Sequence, residues 1–243
     1  MFARLRELAS DLSLQVAIAI VGIWAISLWN CNQISIGAIQ PIWLLCLVGW
    51  QTWAYTGLFI TAHDGMHGSI HSEPQLNKSI GQICLWLYAG FDYSQLLAKH
   101  QLHHQYPASD SLPERLRQRD PDFHDGKTAH FWGWYGHFVC EHISWRQLLN
   151  LVMVFGTYVT ICHFSVINIF LFWIVPSLLS SLQLFYFGTF LPHRKPLNGY
   201  TNSHRATTIH RSTFWSLITC YHFGYHYEHH NSPQTPWWGL NRL

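Results

Sequence analysis

At 243 residues the chain has room for one domain or one compact membrane unit. Charged residues are 11% of it, against about 25% in soluble domains, while aromatics reach 16% with 13 Trp, a composition suited to lipid and not to water. Net charge is +2 with histidine neutral, and no basic run is long enough to follow a phosphate backbone, which excludes nucleic acid as a partner.

In chain order, MFARLRELASD leads into an apolar stretch with no small-residue cleavage site behind it, so residues 12–29 are predicted to be a retained span and not a signal peptide. Further stretches near the about 20 apolar residues that a bilayer crossing takes are 41–62, 148–164 and 166–191. Residues 80–97 are apolar but contain Gly81, Gly90 and Asp92, and are expected to enter and return or to lie along the interface. The segment around Pro107, Pro113 and Pro121 reads as a cytosolic loop. HFWGWYGHFVCEH, from His130 to His142, reads as an amphipathic interfacial stretch, and Trp237, Trp238 and Arg242 as an interfacial anchor for the C-terminal region. The six cysteines are scattered singly with no CxxC spacing, which points to free thiols.

Lys and Arg favour the cytoplasmic side of a membrane. With the N-terminus inside, 30–40 and the link near Ser165 fall outside and carry no charge, and all 14 Lys and Arg fall inside or at its boundary. The predicted fold is therefore an all-α integral membrane protein, a single unit over 1–243. It has about four transmembrane helices, a re-entrant or interfacial hairpin and a His-rich cytosolic cap, with both termini cytoplasmic.

Three histidine clusters fall on that same face: His63 and His67 in HDGMH, His100, His103 and His104 in HQLHH, and His226, His229 and His230 in HYEHH. Residues three and four apart share a helix face, so each cluster offers a ridge of imidazoles, which are strong ligands for first-row transition metals. His193, in FLPHR at the end of the last span, reaches the same face and is expected as a ninth ligand. His222, four residues before His226, is a further candidate as ligand or as donor to one. Ligating imidazoles usually donate their other N–H to a carboxylate or carbonyl, which singles out Asp64, Asp92, Asp120, Asp122 and Glu228. Asp92 has a second reading, a carboxylate snorkelling at the interface. His71, eight residues beyond His63, is about 12 Å along a helix and too far to share its metal. His163 reads as the end of a span, and His124, His204 and His210 as loop residues.

At these residues the chain resembles the integral-membrane histidine-box desaturases and oxygenases, and more narrowly the bacterial-type beta-carotene ketolases. The narrower likeness rests on LFITAHDGMHGSIH, KHQLHHQYP, DPDF, SSLQLFYFGTFLPHRKP, YTNSH, TCYHFGYHYEHH and SPQTPWWGL, in order from about Leu58 to Leu240. One departure is ASDSLPERLRQR at 108–119, longer and more charged than the family's link, which is expected to alter surface contacts and leave the metal core intact.

The resemblance implies two iron ions held by the histidines, O2 as co-substrate and electrons from a ferredoxin-like donor. It implies oxidation of C4 of a beta-ionone ring to a ketone, with the carotenoid entering laterally from the bilayer. Zinc, without redox chemistry, could not oxidise an unactivated allylic C–H. Phe91, Tyr93, Phe185, Tyr186 and Phe187 are candidates to line a slot for the ring. Two other readings share parts of this pattern. A fatty-acyl desaturase or hydroxylase has the same three boxes, and a membrane metal carrier would hold ligands nearer the midplane of its spans.

Overall fold

The structure, a computed structural model, describes residues 2–107 and 130–243. The 108–119 insertion, His124 and the DPDF segment with Asp120 and Asp122 lie outside the described residues. Among those described there are helices and no strand. They are α1 (Phe2–Asn32), α2 (Pro41–His67), α3 (Pro74–Ala89), α4 (Tyr93–Gln105), α5 (Phe131–His142), α6 (Trp145–Thr160), α7 (Val166–His193), α8 (Thr213–Cys220) and α9 (His226–Asn231), with 3-10 turns at Ile36–Ala38 and Trp237–Arg242. They form two units, Met1–Phe91 with Trp145–Ser181, and Asp92–Ser144 with Leu182–Leu243.

Two helices are long and apolar enough to cross a membrane, Ser10–Asn32 and Val166–His193, where the first and last spans were expected. Helix α2 covers the expected 41–62 and continues through the first histidine pair, 27 residues in all, or about 40 Å. Helix α6 has 16 residues and stops at Thr160, inside the expected 148–164. Ile18, Ile26, Trp43, Leu45, Val152, Ile161 and Leu178 are all exposed on the first unit. Large apolar surface of that extent is typical of a face that meets lipid. The expected hairpin at 80–97 is two helices: Gly90 ends α3 in the left-handed region at φ 69°, and Asp92 caps the start of α4.

The core of the first unit joins α1, α2 and α3 through edge-on aromatic pairs, Trp24 with Tyr55 at 5.6 Å and Tyr55 with Tyr88 at 6.0 Å. At Gly65, between His63 and His67, α2 and α3 approach closely, since a Cβ there would lie 2.8 Å from the Asn77 carbonyl oxygen. Asn77 in turn fixes the chain that leaves the histidine pair. Its Oδ1 accepts from the backbone N–H of Ile70 and His71 at 3.0 and 3.2 Å, and its Nδ2 donates to the carbonyls of His71 and Glu73 at 2.6 and 3.0 Å. The histidine pair thus stands on a helix end held from below by one buried amide.

In the second unit α5 lies against the last turns of α7. There the helix widens into a π-helical turn over Phe185–Phe190, closed by the Leu191 N–H donating to the Tyr186 carbonyl. Phe185 meets Phe131, Trp134 and Phe138 with centroids 5.4, 5.8 and 5.3 Å apart. Trp134 is buried while Trp132 is exposed, so α5, expected as an interfacial strip, also forms part of a core. Among the described residues all six cysteines are free thiols.

Because four hydrogen bonds converge on Asn77 at about 0.5–1.5 kcal/mol each, Asn77→Ala is expected to cost about 2–6 kcal/mol. Thermal unfolding in detergent should show a lowered midpoint, and an unchanged one would remove Asn77 from this role.

Candidate metal centre

Helix α4 starts at Asp92, whose carboxylate accepts from the Gln95 N–H at 3.0 Å and from the Ser94 hydroxyl. This N-cap occupies an exposed carboxylate with helix initiation and fixes where the helical register begins. From that start His100 and His104 fall on one ridge, ring centroids 4.6 Å apart, and His103 points about 100° away from His104. Helix α9 repeats the pattern, with His226 and His230 on one ridge at 4.8 Å and His229 beside them.

The consequence is a division that HxxHH does not announce. Nitrogens of His103, His193, His226 and His230 lie within 4.8 Å of one another, and all four side chains are buried. Those of His100, His104 and His229 form a second set with the same mutual limit. Helix α4 gives two imidazoles to the second set and one to the first, and α9 gives one and two. The doubled histidine of each motif serves both sets, because adjacent helical residues cannot face the same way.

The contacts have the spacing of a coordination sphere. Ring nitrogens about 2.0–2.1 Å from one ion stand about 2.9–3.4 Å apart when neighbours in octahedral or tetrahedral geometry. Nε2 of His230 is 3.0 Å from that of His103 and 3.2 Å from that of His226, and in the other set Nε2 of His104 is 3.0 Å from that of His229. His193 is fully buried and donates from Nδ1 to the Arg205 carbonyl at 2.9 Å. In the neutral ring this leaves a lone pair on Nε2, the tautomer a ligand needs.

Burial, followed by the neighbouring imidazoles, pushes His226 and His230 well below the ordinary histidine range. Neutral rings with lone pairs turned toward each other repel unless a cation or shared protons lie between them. An all-imidazole donor set suits a first-row transition metal and not calcium or magnesium. The residues therefore fit a metal.

The other expected residues are placed as follows. His63 and His67 end α2 in the first unit, rings 4.9 Å apart. Asp64 is buried with its carboxylate 4.0 Å from Nδ1 of His63. Both oxygens of Glu228 lie within 2.9 Å of the Thr208 hydroxyl, which ties α9 to the loop before α8. His222 falls in neither set: it precedes α9, in a left-handed turn with φ 61°, and its ring stacks near Trp237 at 6.0 Å. The spacing of four from His226 means nothing there because no helix joins them. His71 accepts at Nδ1 from the Glu73 N–H, a local turn contact.

Sequence reasoning missed the residues that hold His193. Arg205 takes φ 45°, which aims its carbonyl at that ring, and the Asn202 side chain brackets the turn by bonding the backbone of Ala206 at 2.8 and 3.3 Å. Tyr200 donates to the His193 carbonyl at 2.7 Å. The only available signal was the YTNSH segment itself.

The family model described as fatty acid desaturase matches residues 38–243. Among curated proteins the chain is 42% identical to a beta-carotene ketolase of Paracoccus sp. (strain PC1), covering 90% of this chain and 84% of that one. It is 39% identical to a beta-carotene ketolase of Haematococcus lacustris over 76% of this chain and 57% of the relative. Its identity to a zeaxanthin 4-ketolase of Chlamydomonas reinhardtii is 34%, over 95% of this chain and 53% of the relative.

The lowered histidines set the pH response of metal-free protein. Their unfolded value is about 6.5 and their folded value lies below it, so as pH falls through 6.5 the unfolded chain takes up protons that the folded one refuses. Chelator-treated protein should hold its unfolding midpoint above that pH and lose it progressively below. A midpoint flat from pH 7.5 to 5 would contradict the burial of these rings.

Proposed function

The chain belongs to the fatty acid desaturase family, and from that premise we propose that it is a membrane carotenoid 4-ketolase, converting beta-carotene to echinenone and canthaxanthin. The observation that carries the reading is the pairing of two all-imidazole sets with high identity to named ketolases along nearly the whole chain. The conversion of a ring CH2 to a ketone takes two hydroxylations at C4 and loss of water from the geminal diol. Each hydroxylation consumes one O2, two electrons and two protons, the electrons coming from a ferredoxin-like protein. A bound pair of iron ions supplies the oxidising power for C–H cleavage.

The chain's own residues do the rest. His103, His193, His226 and His230 hold one ion, and His100, His104 and His229 hold the other together with His63 and His67. Arg205, through its carbonyl, keeps His193 in the ligating tautomer. Asp64 sits where it can orient His63, Asp92 sets the register of α4, and Glu228 anchors the helix that supplies three ligands. Phe185 and Tyr186, among the aromatic rings of α5 and α7, offer a dry wall for a ring slot, with Phe91, Tyr93 and Phe187 as further lining, which keeps oxidising power from being spent on water. The same reading has about four spans, a re-entrant or interfacial segment at 80–97, and the termini and metal ligands on the cytoplasmic side, where the reductant docks.

Expression in a bacterium that accumulates beta-carotene tests this directly. Wild-type chain should give echinenone and canthaxanthin, and His230→Ala or His229→Ala should give neither, each with about one metal fewer per chain. Altered fatty acids with unchanged carotenoids would sink the proposal in favour of an acyl desaturase. Exchangeable zinc or copper without oxygen consumption would favour a carrier.

A further inference from the structure

Phe223 belongs to the turn Tyr221–Gly224 between α8 and α9. Tyr221 and His222 both take left-handed backbone there, at φ 47° and 61°, a strained pair for residues with side chains. Such strain persists only where surrounding packing demands it, and the turn is pinned by Ile209 N–H donating to the Gly224 carbonyl at 2.8 Å. The effect is to drive the Phe223 ring into the π-helical turn of α7. Its seat is Gly188: a Cβ built there would lie 2.6 Å from Cδ1 of the ring, closer than real Cβ contacts come, and 3.3 Å from Cζ. Both residues are buried.

On its other side Phe223 touches one ligand of each set. Its centroid is 5.1 Å from the His226 ring, edge-on, and 6.1 Å from that of His229. We propose that Gly188 and Phe223 form a seat that positions α9, so that a single packing contact sets the geometry of both metal sites at once. The π-turn is part of the device. Its extra residue rotates everything beyond it by about 100° relative to a regular helix. This lets Gly188 meet Phe223 while His193, five residues on, joins His226. These are positioning residues, and the inference rests on the metal-binding reading of the two sets.

The test is cobalt(II) loading of the purified 243-residue chain, followed by metal per chain and visible absorption, with pigment conversion as a separate assay. Alanine ordinarily favours a helix over glycine, so local propensity alone predicts no harm from Gly188→Ala. The seat predicts instead that Gly188→Ala drops loading below half, both cobalt equivalents falling together, and that Gly188→Ala with Phe223→Leu restores most of it. His193→Ala, by contrast, should remove one equivalent. Phe223→Ala empties the seat without a clash, and keeps the test open if the glycine variant does not fold. It should weaken both equivalents together, about tenfold, the scale of lost support around ligands. Wild-type loading in Gly188→Ala, or unequal loss of the two equivalents in Phe223→Ala, would overturn the seat while leaving the functional reading intact. A wild-type protein that binds no cobalt would overturn both.

Discussion

Seven imidazoles of the second unit face one another in two tight sets, and the ones at the centre are shut off from water. Each neutral ring carries one N–H and one lone pair, and Nε2 of His230 lies 3.0 Å from that of His103 and 3.2 Å from that of His226, so three lone-pair-bearing atoms crowd one point. His193 sharpens the problem because its only N–H is committed to the Arg205 carbonyl. Protonation would be the usual escape, but burial and neighbouring rings oppose it at His226 and His230. Bringing in positive charge as a metal ion relieves the frustration at every ring together. In the second unit the Asp92 cap sets where α4 begins and the Arg205 carbonyl holds the His193 ring.

Much of this was legible in the sequence, for chemical reasons that can be named. Histidines at spacings of three and four beside apolar runs pointed to the imidazoles that gather in the two sets, because helical geometry follows from spacing whatever the tertiary context. His193 was legible by position, being a polar residue at the end of a long apolar helix. The ends of the first and last spans were read within a few residues, since Ser10–Asn32 and Val166–His193 are set by apolar length.

What escaped the sequence depends on backbone detail. The split of each HxxHH motif between two sets depends on how α4 and α9 face each other, which spacing along one helix cannot report. The π-helical turn at Phe185–Phe190 looks in sequence like any aromatic-rich helix, since its extra residue is selected by contacts with α5 and Phe223. Asp92 was read by its charge, although its position just before a helix, with Gln95 three residues on, gives it the job of a cap. His222 was read by spacing, and left-handed backbone breaks the helical relation between it and α9, leaving it in neither set.

The two sets also differ in how much of their support lies in one unit. The buried set of four draws every donor, and the carbonyl that orients His193, from the second unit. The other set draws three donors from there, His100, His104 and His229, a number at which a metal site keeps open positions. In the first unit His63 and His67 stand on the end of α2, which is braced by Asn77 and brought close to α3 by Gly65. On this argument the first unit does more than sit in lipid. Its Asn77 network lies directly beneath the histidine pair, so the placing of those two rings depends on one buried amide.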